Sequence, residues 1–240
     1  MDEPFLSIVI PAYNEAQRIG KSLEKVRQYL DSRPFSAEVI VVDDGSTDET
    51  PRCLQDAAAE WGALRIFRAE PNHGKGYSVR LGALEARGEY VLFTDADLST
   101  PIEAADRLLE VMECMEADAV VGSRALNRKL IGVHQPRFRE LSGIFFNLLV
   151  RIFTGLSLRD TQCGFKLFRR DTTRKAFQLQ QTEGFGFDPE LLFLIKRSGG
   201  RIIEVPVRWN NDPATKVRFL RDSSMMFWEL VRTRWRARRR

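Results

Sequence analysis

Read from its start, the chain alternates short apolar runs with amphipathic stretches. "LSIVIP" (Leu6 to Pro11) is rich in β-branched residues and ends in proline, which predicts a buried strand. "EVIVVDDGS" (Glu38 to Ser46), "LRIFRA" (Leu64 to Ala69), "EYVLFTDAD" (Glu89 to Asp97) and "DAVVGSR" (Asp118 to Arg124) repeat the pattern. Between them, "SLEKVRQYL" (Ser22 to Leu30) and "YSVRLGALEA" (Tyr77 to Ala86) carry a helical period. "STPIEAADRLLEVMECM" (Ser99 to Met115) opens with a cap-like Ser/Thr and a proline before its own helical period. Strand–helix alternation with short connections predicts an α/β fold, a mostly parallel sheet flanked by helices.

In such sheets ligands bind beyond the carboxyl ends of the strands. Here "PAYNE", "DDGSTD", "NHGKG" and "DAD" follow successive strands, so polar, turn-forming residues gather where a site is expected. An acid at a strand exit, as at Asp43 and Asp44, can accept hydrogen bonds from a nucleobase or a ribose hydroxyl. Gly45 to Asp48 read equally well as a cap for the next helix, with Asp48 and Glu49 complementing its dipole. "NHGKGY" (Asn72 to Tyr77) has two readings, a phosphate-binding loop with Lys75 as its charge, or a plain glycine turn. It lacks the spacing of a P-loop, and no GxGxxG follows the first strand. Asp95 and Asp97, two residues apart at a strand end, can turn toward one cation, and hard oxygen ligands suit Mg²⁺ or Mn²⁺.

Composition narrows the picture. With 240 residues, 43% hydrophobic and 29% charged, the chain is expected to form one domain. Three separated cysteines and two histidines imply neither a disulfide framework nor a zinc site, and a reduced compartment is the natural expectation. The acidic start has no basic segment before an apolar one, so no secretory signal is expected. Net charge is only +4, but "NRKLIGVHQPRFR" (Asn127 to Arg139) and "RWRARRR" (Arg234 to Arg240) concentrate the basic residues. That favours an anionic partner. No nucleic-acid-binding motif accompanies the basic runs, so nucleic acid is not the expected partner.

The order of these motifs resembles the family 2 glycosyltransferases of GT-A fold, and within them the dolichyl- or polyprenyl-phosphate hexosyltransferases. "TDADLSTP" and "DTQCGFKLFRR" (Asp160 to Arg170) are similar to the β-glucosyltransferases of that group, and "GFGFDPELL" (Gly184 to Leu192) extends the match. The resemblance implies a nucleotide-sugar half at 1–124, an acceptor half at 125–218 and a basic amphipathic tail at 219–240. Pro11, Tyr13, Asn14, Glu15, Asp43, Asp44, Lys75, Asp95 and Ala96 would hold the nucleotide sugar, UDP-glucose by similarity. Asp95 and Asp97, with Ser99 as a further ligand, would hold Mg²⁺ or Mn²⁺ on its diphosphate, while Lys75 neutralises the departing nucleotide.

A lipid monophosphate acceptor is already anionic, so an inverting transfer to it needs cations more than a base. Arg124 and Arg139 are the candidates, assisted by Lys129 and Arg137, and Asp160, Gln162 and Cys163 would line the acceptor side. Asp188 either caps a helix or acts near the acceptor, as an acid of this half does in family members with alcohol acceptors. "LSGIFFNLLVRIFTGL" (Leu141 to Leu156) puts Asn147 and Arg151 four residues apart, predicting one polar face opposite a wide apolar one. Such a segment reads either as a buried core helix or as one lying in a bilayer interface; the neighbouring basic residues, and Trp228 and Trp235 beside arginines, favour the interface. The expectation is a peripheral enzyme on the cytoplasmic side of a membrane. The alternatives are a soluble family 2 transferase acting on a glycan or protein hydroxyl, and mannosyl transfer from GDP-mannose.

Overall fold

The computed structural model describes residues 3–133, 137–211 and 219–238, with 137, 139, 219–224 and 237–238 in backbone only. Strands β1 (Leu6–Ala12), β2 (Ala37–Asp43), β3 (Leu64–Arg68), β4 (Tyr90–Thr94) and β5 (Ala119–Ser123) stand where the apolar runs predict them. They join β7 (Phe165–Arg169) and β8 (Ile202–Pro206) in a seven-stranded sheet of order β3-β2-β1-β4-β7-β5-β8. β6 (Ile131–Val133) and β9 (Trp209–Asn210) form a separate short parallel ribbon.

Side-chain alternation splits the core into two layers, one on each sheet face. Leu6, Ile8 and Ile10 of β1 and Val39 and Val41 of β2 pack with α1 (Ile19–Asp31), α2 (Thr50–Glu60) and α4 (Ala104–Cys114). Val9, Ile40, Val42 and Phe93 pack on the other face with α3 (Lys75–Glu85), α5 (Arg137–Thr154), α6 (Arg170–Leu179), α7 (Phe187–Arg197) and α8 (Phe219–Arg238). Burial on both faces explains why these strands read as unbroken apolar runs.

β7 is antiparallel to both its neighbours, with Thr94 paired to Phe165 and Phe93 to Lys166. Its reversed direction has a consequence for function. "CGF" enters the sheet where β4 leaves it, and the Asp95 N–H donates to Gly164 O at 3.1 Å.

Two expected boundaries shift. β4 ends at Thr94, so both acids of "DAD" lie beyond the strand. α4 begins at Ala104 and not at Ser99, because Ser99 is committed to the acid turn, where its N–H donates to Asp97 Oδ1 at 2.8 Å. Backbone strain marks the same region. Leu98 has φ +46° and Asn14 φ +53°, a left-handed conformation uncommon outside glycine and, for bulky leucine, an outlier.

Candidate active site

The carboxyl ends of β1 and β4 and the start of α3 surround a cleft of about 340 Å³. Pro11, Tyr13, Glu15, Lys75, Asp95 and Asp97 line it, together with Ala96 and Arg18. Ala96 is pinned from behind, since Ser22 Oγ donates to its carbonyl at 2.6 Å. Arg18 had no signal in the sequence beyond a position just before a helix. Its guanidinium pairs with Glu15 and also acts on Asp97 through space.

Charge in the cleft is concentrated and mainly acidic, with Glu15, Asp44, Asp95 and Asp97 set against Arg18 and Lys75. Lys75 Nζ lies 2.6 Å from Asp95 Oδ1. Burial alone would lower the Lys75 pKa, but the carboxylates of Asp95, Asp188 and Asp97 outweigh it and hold it above the usual lysine value. Burial, then the neighbouring Asp95 charge, pushes Asp97 above the ordinary carboxylate range, against the hydrogen bonds from Ser99. Two carboxylates this close, one already carrying an ammonium, are suited to a divalent cation. Among the described residues no group of three or more His, Cys, Asp or Glu is placed to hold a metal by itself. Asp95 and Asp97 would therefore be the protein's share, the other ligands coming from a diphosphate and water, as is usual for Mg²⁺.

Several sequence expectations change role. Asp43 is buried and absent from the cleft lining, and its Oδ2, which accepts no hydrogen bond among the described residues, is ion-paired with Arg68 Nε at 3.8 Å. Asp44 edges the cleft, but both its oxygens are taken. Oδ1 accepts from His73 N–H at 2.9 Å, and Oδ2 accepts from Gly74 N–H at 2.7 Å and Asn72 Nδ2 at 2.9 Å. In "NHGKG" the His73 and Gly74 N–H groups are therefore spent on Asp44 and are not turned to a phosphate. Gly74, at φ +120°, has its Cβ position 2.5 Å from Glu183 O, so the loop requires glycine to pack on the segment before α7.

Asn14 is a structural link and not part of the lining. Its Oδ1 accepts from Thr47 N–H at 2.8 Å, tying the β1 and β2 exits together. Ser99 bonds to the Asp97 carboxylate and orients it. Asp188 is neither cap nor cleft residue. It is buried in the first turn of α7, where Lys166 Nζ meets its Oδ1 at 2.5 Å. Gly164 was quoted only as part of a motif, and its reason is now visible: a Cβ there would collide with the Asp95 carboxylate.

A second pocket opens beside the first, between the β5 exit, α5 and Trp209. Arg124, Arg128, Arg159, Asp160 and Gln162 line it. Arg124 holds Asp160 in a fork, Nε to Oδ2 at 2.7 Å and Nη2 to Oδ1 at 2.8 Å, and its guanidinium lies over the Trp209 ring. Burial works against the Arg124 charge, but Asp160 keeps its pKa raised, and Arg124 in turn holds the buried Asp160 below the carboxylate range. Arg128 pairs with Glu140. Cys163 is buried, with burial pushing its thiol up to about 11, so it is not a ligand or nucleophile here. Arg139 and Arg137 fall in α5, but their side chains lie outside the described residues. Lys129 sits exposed in the turn before β6.

The α5 prediction holds in outline and fails in detail. Asn147 is only 9% exposed and turns inward to line the second pocket, its amide oriented by Thr161 and the 158–159 carbonyls, while Arg151 is exposed. No polar face joins them. The exposed stripe is instead Phe138, Leu141, Phe145, Leu148 and Ile152, apolar throughout. Met225, Trp228 and Trp235 of α8, which packs on α5, add to the exposed apolar surface. No helix among the described residues is long and apolar enough to cross a membrane.

With this geometry in hand, known proteins give a consistent comparison. The model of the glycosyl transferase family 2 matches residues 7–177. A dolichyl-phosphate beta-glucosyltransferase of Saccharomyces cerevisiae is 36% identical, covering 96% of this chain and 74% of that one. Its Drosophila melanogaster namesake is 38% identical over 88% of this chain and 69% of its own. Among solved structures, glucosyl-3-phosphoglycerate synthase from Mycobacterium tuberculosis, in complex with Mn²⁺ and UDP-glucose, superposes with a TM-score of 0.67 at 22% identity. That match covers 96% of this chain and 77% of that one, and it shows the fold.

Proposed function

The chain belongs to glycosyl transferase family 2, and on that premise we propose that it transfers glucose from UDP-glucose to a dolichyl or other polyprenyl phosphate. The transfer inverts the sugar and takes place at the cytoplasmic face of a membrane, on which the enzyme lies without crossing it. The observation that carries this reading is the adjacency of two unlike clefts, one acidic with a single lysine, one rich in arginine and edged by an apolar helix. They share a wall. The N–H of Asn210, next to Trp209, donates to Ser99 O at 2.9 Å, beside the acid turn.

The residues divide the work. Pro11 and Tyr13 line the donor cleft, and the buried Asp43 behind it, whose Oδ2 faces Arg68 Nε at 3.8 Å, would serve the nucleoside. Asp95 and Asp97 would hold Mg²⁺ or Mn²⁺, which supplies Lewis-acid stabilisation of the leaving diphosphate when bound. Lys75 adds a positive charge at the same place, preorganised by its contact with Asp95. On the acceptor side an anionic phosphate brings its own nucleophilic oxygen, so what the enzyme must provide is position. Arg124, already rigid through Asp160 and Trp209, is placed to do so, with Arg139 on α5 as its partner. Asp188, buried and spent on Lys166, is not required as a base for such an acceptor.

The support for glucose and for dolichyl phosphate is the identity to relatives bearing that name. A donor screen tests it directly. UDP-glucose, UDP-galactose and GDP-mannose are each offered with one polyprenyl phosphate in Mn²⁺, and sugar in the lipid extract is counted. Glucose transfer is expected to dominate. Transfer to a water-soluble hydroxyl acceptor, with none to the lipid phosphate, would overturn the acceptor assignment. Mannose alone in the lipid fraction would overturn the donor.

A further inference from the structure

We infer that Lys166 is a positioning residue of the donor site, which acts by holding Asp188 so that Lys75 remains on Asp95. Lys166 stands in the middle of β7, paired with Phe93 on one side and Val121 on the other. It is 0% exposed on the sheet face whose other occupants are apolar. An ammonium there carries a large desolvation cost, and packing alone would be served by leucine or methionine. The cost is offset by two short contacts. Nζ donates to Asp188 Oδ1 at 2.5 Å and to Cys163 O at 2.5 Å.

Those contacts reach the donor site from below. Lys166 Nζ lies 5.6 Å from the centre of the Phe93 ring and Lys75 Nζ lies 5.3 Å from it, so two ammonium groups flank one aromatic ring. After Asp95, Asp188 is the carboxylate that acts most strongly on Lys75. Two lysines therefore have a claim on Asp188, and the direct bond belongs to Lys166. On the other side, the Cys163 carbonyl that Lys166 holds belongs to the peptide leading into Gly164, which lies against Asp95 and accepts its N–H. Neither Lys166 nor Asp188 lines the donor or the acceptor pocket. Their effect must pass through Lys75 and Asp95.

Without the Lys166 charge, the other cation that acts on the buried Asp188 is Lys75. Lys75 would be drawn off Asp95 toward it. Two things change together. Asp95 loses the ammonium competing for its oxygen, so Mn²⁺ alone should bind more tightly. The departing diphosphate loses its lysine, so turnover should fall. A merely structural lysine would give the opposite metal result, since a loosened site binds Mn²⁺ less well.

The inference rests on the donor-site reading above, so the wild-type chain is measured first, by Mn²⁺ titration followed by electron paramagnetic resonance and by UDP titration in Mn²⁺. Absence of both bindings would sink the donor reading, and this inference with it. With wild-type binding in hand, Lys166→Met is expected to lower kcat about tenfold or more and tighten Mn²⁺ binding severalfold, at a temperature where the variant is folded. Adding Asp188→Leu removes the carboxylate that attracts Lys75, and should recover most of the lost kcat and return Mn²⁺ affinity toward wild type. Lys166→Gln keeps a donor for Cys163 O and Asp188 without the charge. It carries the same test should the methionine variant not fold, with the same direction expected. Wild-type kcat and Mn²⁺ affinity in a folded Lys166→Gln or Lys166→Met chain would overturn the inference. So would a double variant as impaired as the single one, because Lys166 would then not act through Asp188.

Discussion

Lys75 Nζ rests 2.6 Å from Asp95 Oδ1, and so occupies one of the oxygens a divalent cation would use. On the proposed reading, lysine and metal would compete for Asp95 and act together on the diphosphate. Lys75→Met should therefore bind Mn²⁺ alone more tightly while losing turnover, on the order of 10²-fold for one preorganised charge. Mn²⁺ titration and steady-state kinetics on the same preparation check both halves. Weaker Mn²⁺ binding together with lower kcat would mean that Lys75 shapes the site and does not compete in it.

Asp97 gives a pH prediction of unusual sign. Burial and the Asp95 charge raise its pKa in the folded chain above the unfolded value. The carboxylate form is thus less favourable folded than unfolded, and at neutral pH it costs stability in the absence of metal. The cost is fully present above the folded pKa and disappears as pH falls through that value toward the ordinary aspartate range. Asp97→Asn should then raise the Tm of the metal-free chain at pH 7, and the gain should shrink on acidification. It should also abolish most activity. Thermal melts in EDTA across pH decide the first point, and a gain that grows on acidification would refute it.

Gly164 is expected to be as sensitive as the acids themselves. Gly164→Ala puts a methyl group into the Asp95 carboxylate, which must rotate away from both Lys75 and the cation position. Because Asp95 is partly exposed it can move without unfolding the sheet. The expected result is a Tm close to wild type with Mn²⁺ affinity lowered and kcat down about tenfold or more. A variant with unchanged Mn²⁺ affinity would show that Asp95 does not hold the metal.

The Arg124–Asp160 fork separates acceptor chemistry from stability. Asp160 is almost wholly buried, and Arg124→Ala would leave it unpaired, a change that costs on the order of 3 kcal/mol. Arg124→Lys keeps a charge but loses the fork, and should keep more of the stability while KM for the lipid phosphate rises and KM for the nucleotide sugar does not. If donor KM moves instead, the arginine pocket has been assigned to the wrong substrate.

How much of this was legible depends on what each residue had to announce itself with. β1, β2, β4 and β5 stood out because strands buried on both faces are continuous apolar runs, and Asp95 and Asp97 stood out because acids at a strand exit have little structural use. Lys166 was illegible. In "FKLFRR" it reads as the polar side of an ordinary alternation, and its partner Asp188 lies on another element. The clamp on Asp44 was hidden too, since two of its three donors are backbone groups that any sequence would supply and the third is the Asn72 side-chain amide. Asn147 misled in the opposite direction. Spacing of four residues from Arg151 put both on one face, but an asparagine whose amide meets backbone carbonyls belongs inside.

The proposed membrane attachment turns on the exposed stripe of α5. Phe145 is 62% exposed, Leu148 49% and Ile152 68%, spaced three and four residues apart on one side of the helix. Phe146, next in sequence, is partly buried and packs on the inner core layer. The two phenylalanines should therefore behave differently. Phe145→Ser with Leu148→Ser removes surface available to a bilayer, about 2 kcal/mol of insertion or more, roughly thirtyfold in partitioning. Flotation with anionic liposomes should be lost, lipid-acceptor activity should fall with it, and Tm in detergent-free buffer should hold or rise. Phe146→Ser should instead lower Tm, as a cavity in the core does. The arginines from Arg236 to Arg240 would contribute about 1 kcal/mol each near an anionic leaflet, less as salt screens them, so removing them should weaken flotation most at low salt. Undiminished flotation by the Phe145/Leu148 double variant would mean that α5 is not the surface that meets the bilayer. Its apolar stripe would then have to be covered by protein, and the acceptor could no longer be argued to arrive from a membrane along that helix.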